Sequence, residues 1–179
     1  MTRNIMLLIC AAAMSFSAAI AAADGYIGAS IGSAGVDDPQ GGVDDSDTGF
    51  NLFGGYRFNE NWAVEGFYAD FGAPESTPFG IPASTEITGI GAQIVGAFPV
   101  SDKVELFGKL GFISWDEDFS VLGIVVGGDD GEDLTYGIGV TFNVSEQVSI
   151  RGEWEFYDIA DEFGDIDVDL LSVGVEFSF

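Results

Sequence analysis

Apolar and polar residues alternate with a period of two along most of the chain. From Leu171 to Phe179 every second residue is apolar, and the residues between them are mostly small or polar. This period places successive side chains on opposite faces of an extended backbone, so it predicts a β-strand with one apolar face. A last aromatic residue is typical of a strand that closes a membrane barrel with its ring at the bilayer interface.

Seven further segments show the same alternation. The eight predicted strands are Tyr26–Gly32, Thr48–Phe58, Trp62–Phe71, Glu86–Phe98, Val104–Trp115, Leu134–Val144, Val148–Asp158 and Leu171–Phe179. Most have roughly the 9–11 residues with which a tilted strand crosses a bilayer, and the first is the shortest.

The connections between these segments alternate in length. Residues 59–61, 100–103 and 145–147 form short connections, whereas residues 33–47, 72–85, 116–133 and 159–167 form long ones. Two hairpins, 98–110 and 142–154, also resemble each other, as the units of a meander do. Short turns at one rim and long loops at the other predict an all-β fold, an eight-stranded antiparallel up-and-down transmembrane β-barrel.

The charged residues within the strands decide which face points inward. Eight of them occupy the polar phase and form a predicted lumen charge network: Arg57, Glu65, Glu105, Lys109, Arg151, Glu153, Glu155 and Glu176. A Lys or Arg facing lipid at mid-bilayer would cost about 2–4 kcal/mol, whereas charges inside the barrel can pair. We therefore expect these residues in the lumen, although a secreted soluble barrel with its apolar face inward is the alternative.

The register suggests partners within this network. Arg151 lies at a depth similar to that of Glu176, so we expect it to contact Glu176 or Glu153. Lys109 is expected to pair elsewhere, among Glu105, Glu65 and Glu155.

Residues 1–23 read as a secretory signal peptide, followed by a barrel domain over 24–179. Arg3 supplies a positive start, Ile5 to Ile20 an apolar stretch, and Ala21 to Ala23 a cleavage site of small residues. Cys10 lies inside the apolar stretch and follows Ile9, which disfavours a lipoprotein signal. The exported chain then has no cysteine and no disulfide.

Several motifs together resemble those of the OmpA-like transmembrane β-barrel family. They are Phe53-Gly-Gly-Tyr-Arg-Phe-Asn, Glu65-Gly-Phe-Tyr, the Pro99 turn leading to Leu110-Gly111 and Trp115, and Arg151-Gly-Glu-Trp-Glu. The resemblance covers residues 24–179 and implies location in the outer membrane of a Gram-negative cell envelope. It also implies contact with outer-membrane lipid and lipopolysaccharide, and recognition of Phe177 and Phe179 as an assembly signal by the barrel-assembly machinery. Larger family members carry a peptidoglycan-binding domain, which we do not expect here, and we expect a monomer.

The composition excludes several classes of function. The chain has 30 acidic and 5 basic residues and a formal net charge of −25, which argues against nucleic acid as a partner. It has no histidine, so the usual general base is missing. Glu153 and Glu155 lie at a spacing that glycosidic acid/base pairs use, but any acidic strand offers such pairs. We therefore predict no enzymatic activity, no catalytic residue, no cofactor and no metal site.

The predicted long loops are strongly acidic. Their carboxylates are Asp37, Asp38, Asp44, Asp45, Asp47, Asp116, Glu117, Asp118, Asp129, Asp130, Glu132, Asp133, Asp161, Glu162, Asp165, Asp167 and Asp169. None of these loops has EF-hand spacing, so either a solvated, repulsive surface or weak binding of divalent cations fits. The apolar run Val121–Val126 is either an extension of the strands or a contact surface.

Two functions remain open at this point. The first is a structural and interaction protein, a plugged outer-membrane barrel that displays acidic loops. The second is a narrow, porin-like, cation-preferring channel, because several glycines in the lumen phase leave space: Gly55, Gly91, Gly111, Gly137, Gly139 and Gly174.

Overall fold

The computed structural model is an all-β barrel. It describes residues 24–37, 44–73, 75–76, 83–161 and 164–179, so the predicted signal peptide lies outside the described residues. The strands are β1 (Gly25–Asp37), β2 (Asp44–Asn59), β3 (Trp62–Asp70), β4 (Glu75–Ser76), β5 (Ala83–Pro99), β6 (Val104–Val121), β7 (Ile124–Asn143), β8 (Val148–Asp161) and β9 (Gly164–Ser178). In this part of the chain, no helix has the length and apolar character needed to cross a membrane.

Eight long strands close into a barrel in which every pairing is antiparallel. Neighbours in sequence are neighbours in the barrel, and β1 pairs with β9 while β3 pairs with β5. Among the described residues, the two-residue strand β4 pairs only with the start of β5, at the rim. The predicted eight-stranded up-and-down barrel is therefore confirmed.

The alternation of side chains sorts apolar residues to the outside of the barrel. On β3, Trp62 and Val64 are 54% and 40% exposed, whereas Ala63 and Glu65 are 3% and 0% exposed. The other long strands alternate in the same way, with most of their large apolar side chains outward and most of their polar side chains inward, although some aromatic and aliphatic side chains also face the lumen. An apolar outer wall around charged contents suits surroundings that are themselves apolar.

The two ends of the barrel differ. We call the rim with connections 60–61, 100–103 and 144–147 the turn end, and the opposite rim the loop end. At the turn end, Ser101 Oγ accepts a hydrogen bond from Val104 N, and Ser145 Oγ accepts one from Val148 N, at 3.1 and 3.0 Å. The two hairpins that resemble each other in sequence thus close with the same hydrogen bond.

The strands at the loop end are longer than the sequence pattern predicts. The segment 116–133, predicted as a long loop, is the upper part of the β6–β7 hairpin and turns at Leu122 and Gly123. These two residues have φ of 54° and 75°, as a two-residue type I′ turn requires. The β-branched residues beside the turn favour strand, so the apolar run 121–126 consists of the ends of two extended strands and the turn between them.

Candidate functional site

The charged side chains meet inside the barrel in two groups. The group nearer the turn end is centred on Arg57, whose Nη1 and Nη2 donate to Glu105 carboxylate oxygens at 3.1 to 3.2 Å. Arg57 Nη2 also lies 3.7 Å from Glu176 Oε1. This group is partly open to solvent, because the Arg57 side chain is 28% exposed.

The second group lies deeper and is buried. Arg151 Nη1 donates to Glu65 Oε2 at 2.8 Å and to Glu176 Oε2 at 3.1 Å, and Arg151 Nε lies 3.2 Å from Glu153 Oε1. All four side chains are at most 2% exposed. Charges removed from water in this way are stabilised only because opposite charges and hydrogen bonds compensate them.

Lys109 completes the deeper group. Its Nζ lies 3.0 Å from Glu155 Oε1 and 3.3 Å from Glu65 Oε1, and it also contacts Glu153 Oε2. Glu105, one of the partners predicted for Lys109, instead pairs with Arg57. Five carboxylates therefore share three cations, and Glu176 links the two groups through Arg57 and Arg151.

Neutral polar side chains also contribute to the network. Tyr26 OH donates to Glu65 Oε2 at 3.0 Å, and Gln93 Nε2 donates to Glu65 Oε1 at 2.7 Å. Asn51 Nδ2 donates to Glu155 Oε2 at 3.0 Å. The alternation of side chains places Asn51 and Gln93 on the inward face, but it does not predict that they contact the network.

Two phenylalanines sandwich the central guanidinium. The Arg151 Cζ lies 4.4 Å from the ring centre of Phe53 and 4.5 Å from that of Phe107. Cation–π contacts of this kind are strongest where water is excluded. Phe53 and Phe107 were not predicted to belong to the site, although the alternation of side chains places both of them on the inward face.

The lumen glycines do not leave the space that the sequence suggested. Inward aromatic rings occupy the positions that side chains at three of them would take: Tyr26 covers Gly55, Phe67 covers Gly91, and Phe107 covers Gly139. At the other three, a Cβ added at Gly111, Gly137 or Gly174 would meet the Gln93, Glu155 or Ser30 side chain, respectively. The glycines are therefore contact points between strands and inward side chains.

An apolar layer lies above the charged network, toward the loop end. Tyr157 packs edge-to-face on Phe71 with ring centres 4.7 Å apart, and it lies 6.4 Å from Phe67. This aromatic closure also includes Ile113, Trp115, Val168 and Leu170, all at most 1% exposed. Trp115 Nε1 donates to Asp133 Oδ2 at 2.7 Å, which satisfies its one polar group at the rim.

The lumen opens toward the turn end. There, a polar vestibule of about 410 Å³ is lined by residues that include Arg57, Lys103, Glu105, Glu146 and Glu176. Its floor is the Arg57 group, so the vestibule ends at ion pairs.

The outer wall carries aromatic residues near both rims. Phe177 and Phe179, the predicted assembly signal, lie at the turn end with ring centres 6.4 Å apart. Phe179 N donates to Gly25 O at 3.0 Å, so the last residue contributes to closing the barrel. Near the loop end, Trp154 Nε1 donates to Asp169 Oδ2 at 2.8 Å.

The β6–β7 extension stands above the barrel wall and is exposed. Leu122, Ile124, Val125 and Val126 at its tip are between 58% and 68% exposed. No cluster of His, Cys, Asp or Glu arranged to hold a metal ion occurs among the described residues. The acidic side chains of residues 36–45 and 159–167 lie outside those whose side chains are described.

Comparison with known proteins agrees with this architecture. The sequence matches the family model of the outer membrane protein beta-barrel domain over residues 6–179. No curated protein matches the chain.

Two solved structures illustrate the similarity. Neisserial surface protein A is 19% identical, with a TM-score of 0.68 over 87% of this chain and 97% of that chain, which shows a shared fold. Ail, the attachment invasion locus protein of Yersinia pestis, was solved in complex with the heparin analogue sucrose octasulfate. It is 26% identical, with a TM-score of 0.62 over 88% of this chain and 100% of that chain.

Proposed function

Because the chain belongs to the outer membrane protein beta-barrel family, we propose that it is a closed, non-enzymatic barrel that presents an acidic surface outside the cell. The observation that carries this proposal is that side chains fill the lumen at two levels. The buried ion-pair network blocks one half, and the aromatic closure blocks the other. Eight-stranded barrels have interiors just wide enough for side chains to fill.

The lumen carboxylates support a structural role over a catalytic one. Glu153 and Glu155, the pair with the spacing of a glycosidase, both contact Lys109, and Glu153 also contacts Arg151. Carboxylates held in ion pairs and buried at 1% to 2% exposure have no room for a sugar between them.

The charge distribution supports an acidic surface. The five basic residues are Arg3, Arg57, Lys103, Lys109 and Arg151, so no Lys or Arg belongs to the connections at the loop end. Binding of a sulfated sugar, as in the Ail complex, requires cations and is therefore not part of our proposal for this chain.

The apolar outer wall and the two ends of the barrel suggest what surrounds it. We propose that the apolar wall contacts outer-membrane lipid and lipopolysaccharide, and that Phe177 and Phe179 serve assembly by the barrel-assembly machinery of the envelope. Outer-membrane barrels have short periplasmic turns and longer external loops, so the loop end would face outward. The barrel would act as a monomer, with weak cation binding at its acidic connections.

A narrow, cation-preferring channel is the second candidate. It is favoured by the vestibule at the turn end and by the excess of five lumen carboxylates over three cations. A rearrangement of the ion pairs would be needed to connect the vestibule with the loop end.

Conductance across a planar bilayer separates the two candidates. The refolded barrel is expected to be electrically silent, with an open porin in the same bilayer as the positive control. Phe71→Ala with Tyr157→Ala removes two rings of the aromatic closure but should leave conductance low, because the ion-pair network below remains. Steady, cation-selective openings of the unaltered barrel would favour the channel.

A further inference from the structure

Three buried side-chain oxygens in the lumen have no hydrogen-bond partner among the described residues. No group donates to Asn51 Oδ1, and the hydroxyls of Ser30 and Ser172 neither donate nor accept. Asn51, Ser30 and Ser172 are 0%, 5% and 6% exposed. A buried polar atom that lacks a partner costs free energy, so a ligand that all three oxygens can bind would stabilise the barrel.

The three residues lie side by side on the inner wall of the barrel. β8, β9, β1 and β2 are consecutive strands, and Ser30 of β1 lies directly opposite Asn51 of β2. Ser172 of β9 lies opposite Gly32, which makes it the diagonal neighbour of Ser30 on the same face. Diagonal neighbours have Cβ atoms about 7 Å apart or less, so one small ligand can touch both side chains.

A hydrogen bond spans the same four strands on the lumen side of the two serines. Asn51 Nδ2 on β2 donates to Glu155 Oε2 on β8 at 3.0 Å, although two strands lie between them. Since Oδ1 belongs to the same amide group as Nδ2, it also lies close to this carboxylate. The two intervening strands present only short residues inward at this depth, namely Ser30, Gly32, Ser172 and Gly174.

The neighbouring ion-pair network carries excess negative charge. Its five carboxylates and three cations leave two negative charges without a counter-charge. Glu155 contacts Lys109, and Lys109 is shared with Glu65 and Glu153. Uncompensated charge in a buried site is costly, so a further cation beside Glu155 would lower the free energy of the folded barrel.

We propose that the lumen binds one alkali cation, Na⁺ or K⁺, between Asn51 Oδ1, Ser30 Oγ, Ser172 Oγ and the Glu155 carboxylate. Hard cations prefer carboxylate, carbonyl and other oxygen ligands. One carboxylate with three neutral oxygens suits a single positive charge, because Ca²⁺ takes more ligands and Mg²⁺ gives up its water reluctantly. The sequence does not predict this site, because its ligands come from four strands that are far apart in the chain.

Two other occupants satisfy these groups less completely. A proton on Glu155 would remove one negative charge, but a carboxylic acid donates a single hydrogen bond and leaves two of the oxygens without a partner. A water molecule could donate to two of the oxygens, but it would leave the excess negative charge unchanged. A cation compensates charge and binds all three oxygens.

The stability of the full barrel in lipid vesicles tests the proposal. A ligand that binds only the folded chain raises the ratio of folded to unfolded barrel. In urea titrations we expect this ratio to be about tenfold higher in sodium or potassium chloride than in choline chloride, as an ion at about nine times its dissociation constant gives. Equal ionic strength keeps the screening of surface charges the same. Equal stability in all three salts would overturn the proposal.

A double variant removes two ligands of the ion without changing the net charge. Ser30→Ala with Ser172→Ala should abolish the difference between the alkali salts and choline chloride. The matched control, Ser149→Ala with Ser178→Ala, removes two hydroxyls that line the vestibule at the turn end, and it should retain the difference. A full difference in Ser30→Ala with Ser172→Ala would refute the site and assign the salt effect to the acidic outer surface.

Crystals of the unaltered barrel grown in rubidium chloride locate the ion directly, whether or not the variants fold. Rubidium is an alkali cation that scatters X-rays anomalously, and we expect its peak in the lumen beside Asn51 and Glu155. Electron density there without an anomalous signal would identify a water molecule and overturn the proposal. Neither occupancy nor stability depends on the conductance of the barrel, so these results are independent of the function proposed above.

Discussion

Asp and Glu have opposite effects on stability in two regions of this molecule. In the lumen, Glu65 and Glu176 each contact Arg151, and every lumen carboxylate lies within 4 Å of a cation. In the β6–β7 extension, Asp116 and Asp130 lie opposite each other in the register. Acidic residues thus hold the lumen together but work against the pairing of the external hairpin.

The few basic side chains of the chain are distributed unevenly between these two regions. Three of the five basic residues lie inside the barrel, and Lys103 lies in a tight turn. A lumen cation is indispensable because its loss leaves buried carboxylates without compensation. Repulsion between exposed carboxylates is weak and screened by salt, so the external hairpin tolerates it.

The largest expected effect is the loss of the central cation. Arg151→Met removes contacts with Glu65, Glu153 and Glu176 in a buried site, and we expect it to lower the free energy of unfolding by about 3–5 kcal/mol. Urea titration of the refolded barrel in lipid vesicles measures this. Adding Glu176→Gln should restore part of the loss.

A matched control removes a positive charge from the exposed turn. Lys103→Met should change stability by no more than about 0.5 kcal/mol, because exposed charges contribute little. An equal loss in both variants would show that net charge, and not the lumen network, governs stability.

A smaller effect tests the packing of the lumen. In Gly139→Val the new side chain would displace the Phe107 ring, which in turn covers Arg151, and we expect a cost of about 1–3 kcal/mol. Gly66→Val is the control, because Gly66 faces outward with its nearest neighbour atom 3.8 Å from the new Cβ. An equal decrease of the urea midpoint in Gly139→Val and Gly66→Val would contradict the conclusion that side chains fill the lumen.

The outward and inward phases could be read from the sequence because burial in a sheet repeats every second residue. Trp62, Val64, Glu65 and Lys109 all lie on the side that this period predicts. The position of the charged residues followed from the cost of placing Arg or Lys in lipid.

The individual partners could not be read in the same way. Arg151 and Glu65 are 86 residues apart, and Asn51 and Glu155 are 104 apart, so their contact depends on how the closed barrel aligns its strands. The aromatic closure was not predicted because we expected polar residues in the lumen. An aromatic residue in the inward phase, such as Tyr157, does not fit that expectation. The hairpin extension was missed because acidic residues suggested a loop, while the turn at Leu122 and Gly123 lacks the usual Asn-Gly signal.

The smallest effect has the opposite sign and concerns the external hairpin. Asp130→Lys converts the cross-strand pair with Asp116 from like to opposite charge, so we expect it to stabilise the β6–β7 extension by about 0.2–1 kcal/mol. Amide hydrogen exchange of residues 116–133 at low salt measures this local gain, which high salt should reduce by screening. Asp102→Lys, at the turn end, makes the same change in net charge and should leave exchange in the hairpin unaltered. Faster amide exchange in Asp130→Lys would instead show that Asp116 and Asp130 do not repel each other across the strands. The carboxylates of the hairpin would then not differ from those of the lumen in the way argued above.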